Sequence, residues 1–305
     1  MHRFLAILIS LPLYLLSLLP LRVHYLFADI IAFLLRDVAK YRRDVIMTNL
    51  NGAFPDMPAQ EKRQIARRYY QYLADQVCEM VWSMTRSGRH ICRRGFYSID
   101  PESERVLNEA YRTSPSVVVL LSHTGNWELA SDLPFYMRQP AFSCDEMTVA
   151  YQTLHDPLSE QLFLVLRRVR LHKEESLVAS HKILRFMLGH KNERRIYFFI
   201  SDQYPYGGAE HTCKFLGLDT EWVGGAEAIA RKLHLPVMYV YLDRVKRGKY
   251  VIKISQICSD ASLVDKGGIT ATYASNLERD ILSRKENWLW SHRRWKNLWP
   301  YNKEK

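Results

Sequence analysis

The sequence predicts an α/β protein: a mixed central sheet flanked by helices, preceded by an N-terminal hydrophobic membrane-anchoring helix. Three observations lead there. Apolar runs rich in β-branched or aromatic residues, at 117–121 and 195–201, stop abruptly at polar turns, as buried strands do. Segments with apolar residues recurring every three and four positions surround such runs, as helices packed on a sheet would. Residues 4–21 carry no charge, and as a helix they would cover about 27 Å, close to the hydrocarbon thickness of a bilayer. The chain therefore divides into an anchoring segment, 1–35, and one folded domain, 36–305.

The 305 residues, 48% of them apolar, suffice for a sizeable core. Lysine and arginine number 43 against 32 aspartate and glutamate, a formal charge of +11. That balance suits an anionic partner: a membrane surface, an acidic carrier protein, a phosphorylated substrate or a nucleic acid. Cys78, Cys92, Cys144, Cys213 and Cys258 are far apart and form no Cys-x-x-Cys pair. Neither a disulfide framework nor a zinc site is indicated, and reduced thiols facing the cytosol are expected.

Taking the elements in order, His2 and Arg3 precede the uncharged run and Arg22 follows it, without a small-residue cleavage pattern, which favours a retained segment over a removed signal. Pro12 and Pro20 complicate a straight span. Residues 23–35, apolar but carrying His24 and Asp29, suit a helix lying in the interface instead. Arg36, Lys40, Arg42 and Arg43 then place positive charge beside the anchor, as on a cytoplasmic membrane face. Within 61–84, Ile65, Tyr69, Tyr72, Leu73, Gln76, Val77 and Met80 recur at helical spacing and read as scaffold.

Residues 117–121 form the first buried strand, and Asn126 is placed to cap a helix that Glu128 begins. Residues 147–151 read as a strand and 157–170 as a helix. Arg167, Arg168, Arg170, His172 and Lys173 at its basic end are explained equally by the helix dipole and by contact with phosphate or a carrier. The strand at 195–201 ends in Asp202 and Gln203, which in a parallel sheet would share the carboxyl edge with His123. A helix at 226–233, a hairpin of 237–242 and 250–257 across a basic turn, and a helix at 270–283 follow. Four tryptophans within 288–299, beside Arg293, Arg294 and Lys296, suit a membrane interface, where indoles bridge wet and apolar layers.

The chemistry centres on His123, Thr124, Gly125, Asn126, Trp127 and Glu128. Residues five apart in one regular helix point about 140° apart and cannot share a proton, whereas a turn from strand to helix can fold them together. An imidazole there takes a proton near neutral pH, and a carboxylate beside it fixes the tautomer and favours the imidazolium.

This hexapeptide resembles the His-x4-Glu/Asp signature of glycerolipid-type acyltransferases. With Ser122 before it and the Gly-Asn-Trp filling, it resembles the late acyltransferases of bacterial lipid A biosynthesis. Further matches are Asn49-Leu50 with Phe54-Pro55, Asp156-Pro157-Leu158, Asp202-Gln203 followed by Phe215-Leu216-Gly217, Gly224-Gly225-Ala226-Glu227, and the terminal block from Trp290 to Lys296. Where many relatives carry Tyr-Arg-Pro, this chain has Tyr151-Gln152-Thr153.

The resemblance implies transfer of a fatty acyl chain from a thioester, on acyl carrier protein or coenzyme A, to a hydroxyl of an anionic glycolipid, a lipid A precursor. His123 would be general base and Glu128 would orient it. Asn126, Trp127, Arg168, Arg170, Asp202, Gln203, Gly225 and Glu227 would bind substrate. It implies no metal and no cofactor, no nucleic acid, and a place on the bacterial inner membrane with the acyltransferase domain on the cytoplasmic side. Acylation of another membrane lipid, a lysophospholipid or amino-lipid, would use the same residues. A catalytically silent lipid-binding scaffold is the reading from a different class.

Overall fold

Residues 2–154, 156–168, 176–299 and 301 are described by the computed structural model of the chain. The uncharged run does not form one helix. It breaks into α1 (His2–Ser17) and α2 (Leu21–Phe33), with Pro20 immediately before α2, because proline supplies no amide hydrogen and disfavours helix in the residue before it. The two directions differ by 118°, and among the described residues no single helix is long and apolar enough to cross a membrane. His24, Ala28 and Ala32 of α2 face inward, while Phe4 (74% exposed), Leu15 (66%) and Leu26 (63%) stand in the open.

The rest of the chain runs α3 (Arg43–Ala53), α4 (Ala59–Ser83), α5 (Gly88–Arg93), β1 (Tyr97–Ile99), α6 (Pro101–Thr113), β2 (Ser116–Leu121), α7 (Leu133–Tyr136), β3 (Met147–Tyr151), α8 (Pro157–Arg168), β4 (Leu177–Ala179), α9 (Ile183–Gly189), β5 (Arg195–Ile200), β6 (His211–Phe215), β7 (Leu218–Trp222), α10 (Gly225–Lys232), β8 (Val237–Lys246), β9 (Lys249–Cys258) and α11 (Gly268–Ser283). Seven strands form one sheet in the order β1-β9-β8-β2-β5-β3-β4. Its pairings are parallel except for the β8–β9 hairpin. The predicted mixed α/β sheet is thus present. The small antiparallel pair β6–β7 stands apart from it and has no counterpart in the sequence reading.

Alternation along β2 builds the two cores. Val118 and Leu120 face the layer of α3, α4, α10 and α11, while Val117, Val119 and Leu121 face the layer that includes α5, α6 and α7. Six consecutive buried residues make β2 the central strand.

The tryptophan-rich segment departs from the interfacial expectation. Trp288, Trp290 and Trp295 are essentially inaccessible, and each indole N–H has an internal acceptor: Asp202 Oδ2 at 2.8 Å, the Lys285 carbonyl at 2.6 Å and Thr220 Oγ1 at 2.8 Å. An indole with its single polar atom satisfied is best placed in a core, where it removes 150–250 Å² from water. Arg294, fully buried with them, lies 4.4 Å over the Trp222 ring and donates to the Glu221 carbonyl at 2.7 Å. Burial brings its pKa down to about 10.

Candidate active site

The parallel register between β2 and β5 sets Leu121 opposite Ile200 and Ser116 opposite Arg195. Continuing that register two residues beyond each strand brings His123 opposite Asp202. The ladder extends past the strand ends, since the Ser201 amide donates to the Leu121 carbonyl at 3.1 Å. Asp202 Oδ1 then lies 2.6 Å from His123 Nδ1, and Oδ2 accepts from the His123 amide at 2.9 Å. The Trp288 indole donates to the same Oδ2.

Burial alone would raise the Asp202 carboxyl, but the facing imidazole and the hydrogen bonds from His123 and Trp288 outweigh it and hold the pKa below the usual carboxylate range. An ionised carboxylate only accepts, so the proton between them belongs to Nδ1, which in the neutral ring leaves the lone pair on Nε2. The Gln203 amide points at that lone pair from 3.1 Å. This is the arrangement of a general base with an oriented tautomer.

The turn carrying His123 is held from several sides. Gly125 has φ +57°, and a Cβ there would lie 2.5 Å from Leu242 Cβ and 2.6 Å from the Leu242 carbonyl oxygen, so both conformation and space require glycine. The Gly125 carbonyl accepts from the Tyr72 hydroxyl at 2.8 Å and from the Gln76 amide, and the Asn126 carbonyl accepts from the Tyr97 hydroxyl at 2.6 Å. The Trp127 ring meets the His123 ring edge-on, centroids 4.8 Å apart.

Beside this turn opens a groove of about 570 Å³. Val77, Met80 and Val81 of α4, Phe163 of α8, Val149 of β3 and Ile200 of β5 supply apolar wall, and His123, Glu128, Arg167 and Gln203 supply polar lining. A mostly apolar cleft with a few convergent polar groups is the form of a small-molecule or acyl-chain site.

The family model for bacterial lipid A biosynthesis acyltransferases matches residues 1–297. The chain belongs to that family. No curated protein matches the chain.

Within this acyltransferase, the structure pairs the expected residues differently. Glu128 is not the partner of the imidazole. Its Oε1 accepts from Arg167 Nη2 at 2.7 Å and its Oε2 from Arg167 Nε at 3.1 Å, while Asp202 takes Nδ1. The physical reason is local winding. Residues Trp127–Asp132 form a 3-10 turn rather than a capped α-helix, and a guanidinium from α8 offers the carboxylate a two-pronged partner.

Asn126 makes no helix cap. Its amide is buried and donates to Glu79 Oε2 at 3.0 Å. Gly225 is the first residue of α10. Glu227 is buried and binds the start of α11, accepting from the Gly267 amide at 2.5 Å, the Thr270 amide at 2.9 Å and the Thr270 hydroxyl at 2.5 Å. Gly225 and Glu227 therefore serve helix ends away from the groove lining, in place of the substrate contact the resemblance implied. The Arg168 side chain and Arg170 lie outside the described residues.

Arg167 and Trp288 were read for other roles, phosphate or carrier contact and a membrane interface, and their pairing with Glu128 and Asp202 was not anticipated. For Arg167 the signal was present: Glu160, Phe163, Leu164 and Arg167 all line the groove, spaced as one helical face. Trp288 had none, since its partner lies 86 positions away. His292 completes the surroundings. Its Nε2 accepts from the Tyr204 amide at 2.9 Å, and burial, opposed by nearby Asp202, pushes its pKa down to about 4.

Proposed function

We propose that this acyltransferase moves a fatty acyl chain from a thioester, on acyl carrier protein or coenzyme A, to a hydroxyl of a lipid A precursor. The observation that carries this reading is the Asp202–His123 pair, whose Nε2 faces an apolar groove. The acceptor hydroxyl displaces the Gln203 amide from Nε2 and gives its proton to the imidazole as its oxygen bonds to the thioester carbonyl carbon. The tetrahedral intermediate collapses with cleavage of the carbon–sulfur bond, and the imidazolium returns the proton to the leaving thiolate. Asp202 positions the ring throughout and favours its charged form. Glu128 acts at one remove, holding Arg167 on the groove wall.

The formal charge of +11 suits a phosphorylated acceptor and an acidic carrier. Residues 1–35 would lie against the cytoplasmic face of a bacterial inner membrane, with exposed leucines of α1 and α2 in the lipid and Arg36, Lys40, Arg42 and Arg43 at the phosphates. The test is acyl transfer in detergent by the purified chain and its His123→Ala variant, with acyl carrier protein thioester as donor, beside lipid mass spectrometry of a deletion strain. A lipid A species missing one acyl group, and transfer abolished in the variant, are expected. Acylation of lysophospholipid alone, with lipid A mass unchanged in the deletion, would overturn the acceptor assignment.

A further inference from the structure

Behind the His123 turn, on the side away from the groove, sits a fully buried carboxylate that the mechanism above does not use. Glu79, on α4, receives three hydrogen bonds from three different elements. The Tyr25 hydroxyl of α2 donates to Oε1 at 2.8 Å. The Tyr250 hydroxyl of β9 and the Asn126 amide of the His123 turn donate to Oε2 at 2.7 and 3.0 Å. A buried carboxyl group costs free energy unless its hydrogen-bond partners are in place, so the positions of Tyr25 and Asn126 are tied to each other through one group.

The α2 end of this tie is itself clamped. Arg247, in the β8–β9 turn, lies 4.3 Å over the Tyr25 ring and donates to the Tyr25 carbonyl at 3.0 Å and to Asp29 Oδ1 at 2.7 Å. It also pairs with buried Asp75 of α4 at 2.5 Å. Gly248 leaves room for the Tyr25 hydroxyl, which a Cβ would meet at 2.4 Å. The outer side of the same helix is apolar and open, with Leu26, Ile30 and Phe33 each more than half exposed. One face of α2 is thus polar, specific and linked to the His123 turn, and the other is open among the described residues.

We propose that Glu79 is a positioning residue for the His123 turn, and that through Tyr25 it makes the geometry of that turn depend on α2 being seated on a lipid surface. The inference rests on the acyltransferase reading above. Lipid covering Leu26, Ile30 and Phe33 fixes α2. Tyr25 then holds Glu79 toward Asn126, and the turn presents His123 at its productive distance from the groove. Without lipid, α2 loosens and the turn relaxes.

The experiment compares kcat of the full chain on acceptor embedded in vesicles of anionic phospholipid with kcat on the same acceptor in neutral detergent micelles. Wild type should turn over faster on vesicles. Tyr25→Phe, which removes one hydroxyl and keeps the ring, should lower the vesicle rate about tenfold, the size of one buried hydrogen bond. It should leave the micelle rate, the KM for the thioester and vesicle binding unchanged. Glu79→Leu, which removes both acceptor oxygens and leaves the Asn126 amide and the Tyr250 hydroxyl without their partner, should lose the vesicle advantage and also lower the micelle rate. Should Glu79→Leu fail to fold, Tyr25→Phe decides alone. A vesicle advantage that survives in Tyr25→Phe overturns the proposal. So does a wild type without such an advantage, or a rate lost equally in both environments in step with a lowered melting temperature. A wild type that transfers acyl groups in neither environment sinks the acyltransferase reading itself.

Discussion

Replacing Asp202 by asparagine separates the two carboxylates that compete for the role of imidazole partner. The native carboxylate accepts from His123 Nδ1, from the His123 amide and from the Trp288 indole, and an asparagine has one acceptor oxygen to offer them. If that oxygen faces the two N–H groups, its NH2 faces Nδ1 and drives the ring to the tautomer protonated at Nε2, which is no base. If the oxygen keeps Nδ1, the NH2 confronts two donors inside a site that is 2% exposed. Loss of the base alone predicts a fall in kcat of about 10² to 10⁴, and an unmatched buried donor predicts about 1–3 kcal/mol of lost stability. The pH dependence has a definite sign. Because the native pKa is depressed, the stabilisation is present above the unfolded value of about 4 and is lost as pH falls through the native value, so wild type and variant should converge in stability below about pH 4. The assay is acyl transfer with donor and acceptor varied separately, beside melting curves and the nitrogen chemical shifts of His123. Glu128→Gln in parallel should lower turnover less and leave the His123 tautomer intact. Turnover of Asp202→Asn within threefold of wild type, or a tautomer change in Glu128→Gln instead, would refute the pairing.

Gly125→Ala should cost about 2 kcal/mol or more, from a left-handed backbone and contact with Leu242, and should reduce turnover further than the melting temperature alone explains. His292 should sensitise the fold to mild acid: with its pKa near 4 against about 6.5 unfolded, stability is full above pH 6.5 and falls as pH drops toward 4. In His292→Gln, which keeps an acceptor for the Tyr204 amide, melting temperature should change less between pH 7 and 5 than in wild type. Leu15→Asp and Leu26→Asp, at open positions, should leave thermal stability within about 0.5 kcal/mol. Each should weaken sedimentation with anionic vesicles about tenfold, since burying one leucine in lipid contributes about 1.5–3 kcal/mol.

The strands at the heart of the site were legible because apolar side chains fill both faces, at 117–121 and at 196–200 within the run 195–201. The shared carboxyl edge followed from their parallel order. What local pattern does not encode is register between strands so distant in sequence, and register is what selects Asp202, not Glu128, for His123. Glu128 was the nearer carboxylate along the chain, but the 3-10 winding after Asn126 and the arrival of Arg167 from α8 turned it elsewhere. The tryptophans misled for a related reason. The same amphipathic ring suits an interface and a core, and the choice is made by whether Thr220, Asp202 and a backbone carbonyl come within reach of its N–H. At the other end, length and composition of residues 4–21 suggested one straight helix, and the break before Pro20 makes it a bent pair with α2 instead.

The Trp288 bond to Asp202 has a consequence for the order of events during synthesis. The groove wall from α4 and the His123 turn leave the ribosome early, and Asp202 follows. The indole that completes the shell of Asp202, together with Asn287, whose side chain receives the Gly125 amide at 3.3 Å, emerges only after β8, β9 and α11 have been made. A nascent chain thus carries α1, α2 and the His123 turn from early on while that turn still lacks two of its supports. Chains cut short before residue 287 would hold the His123–Asp202 pair without the Trp288 and Asn287 contacts that finish the turn.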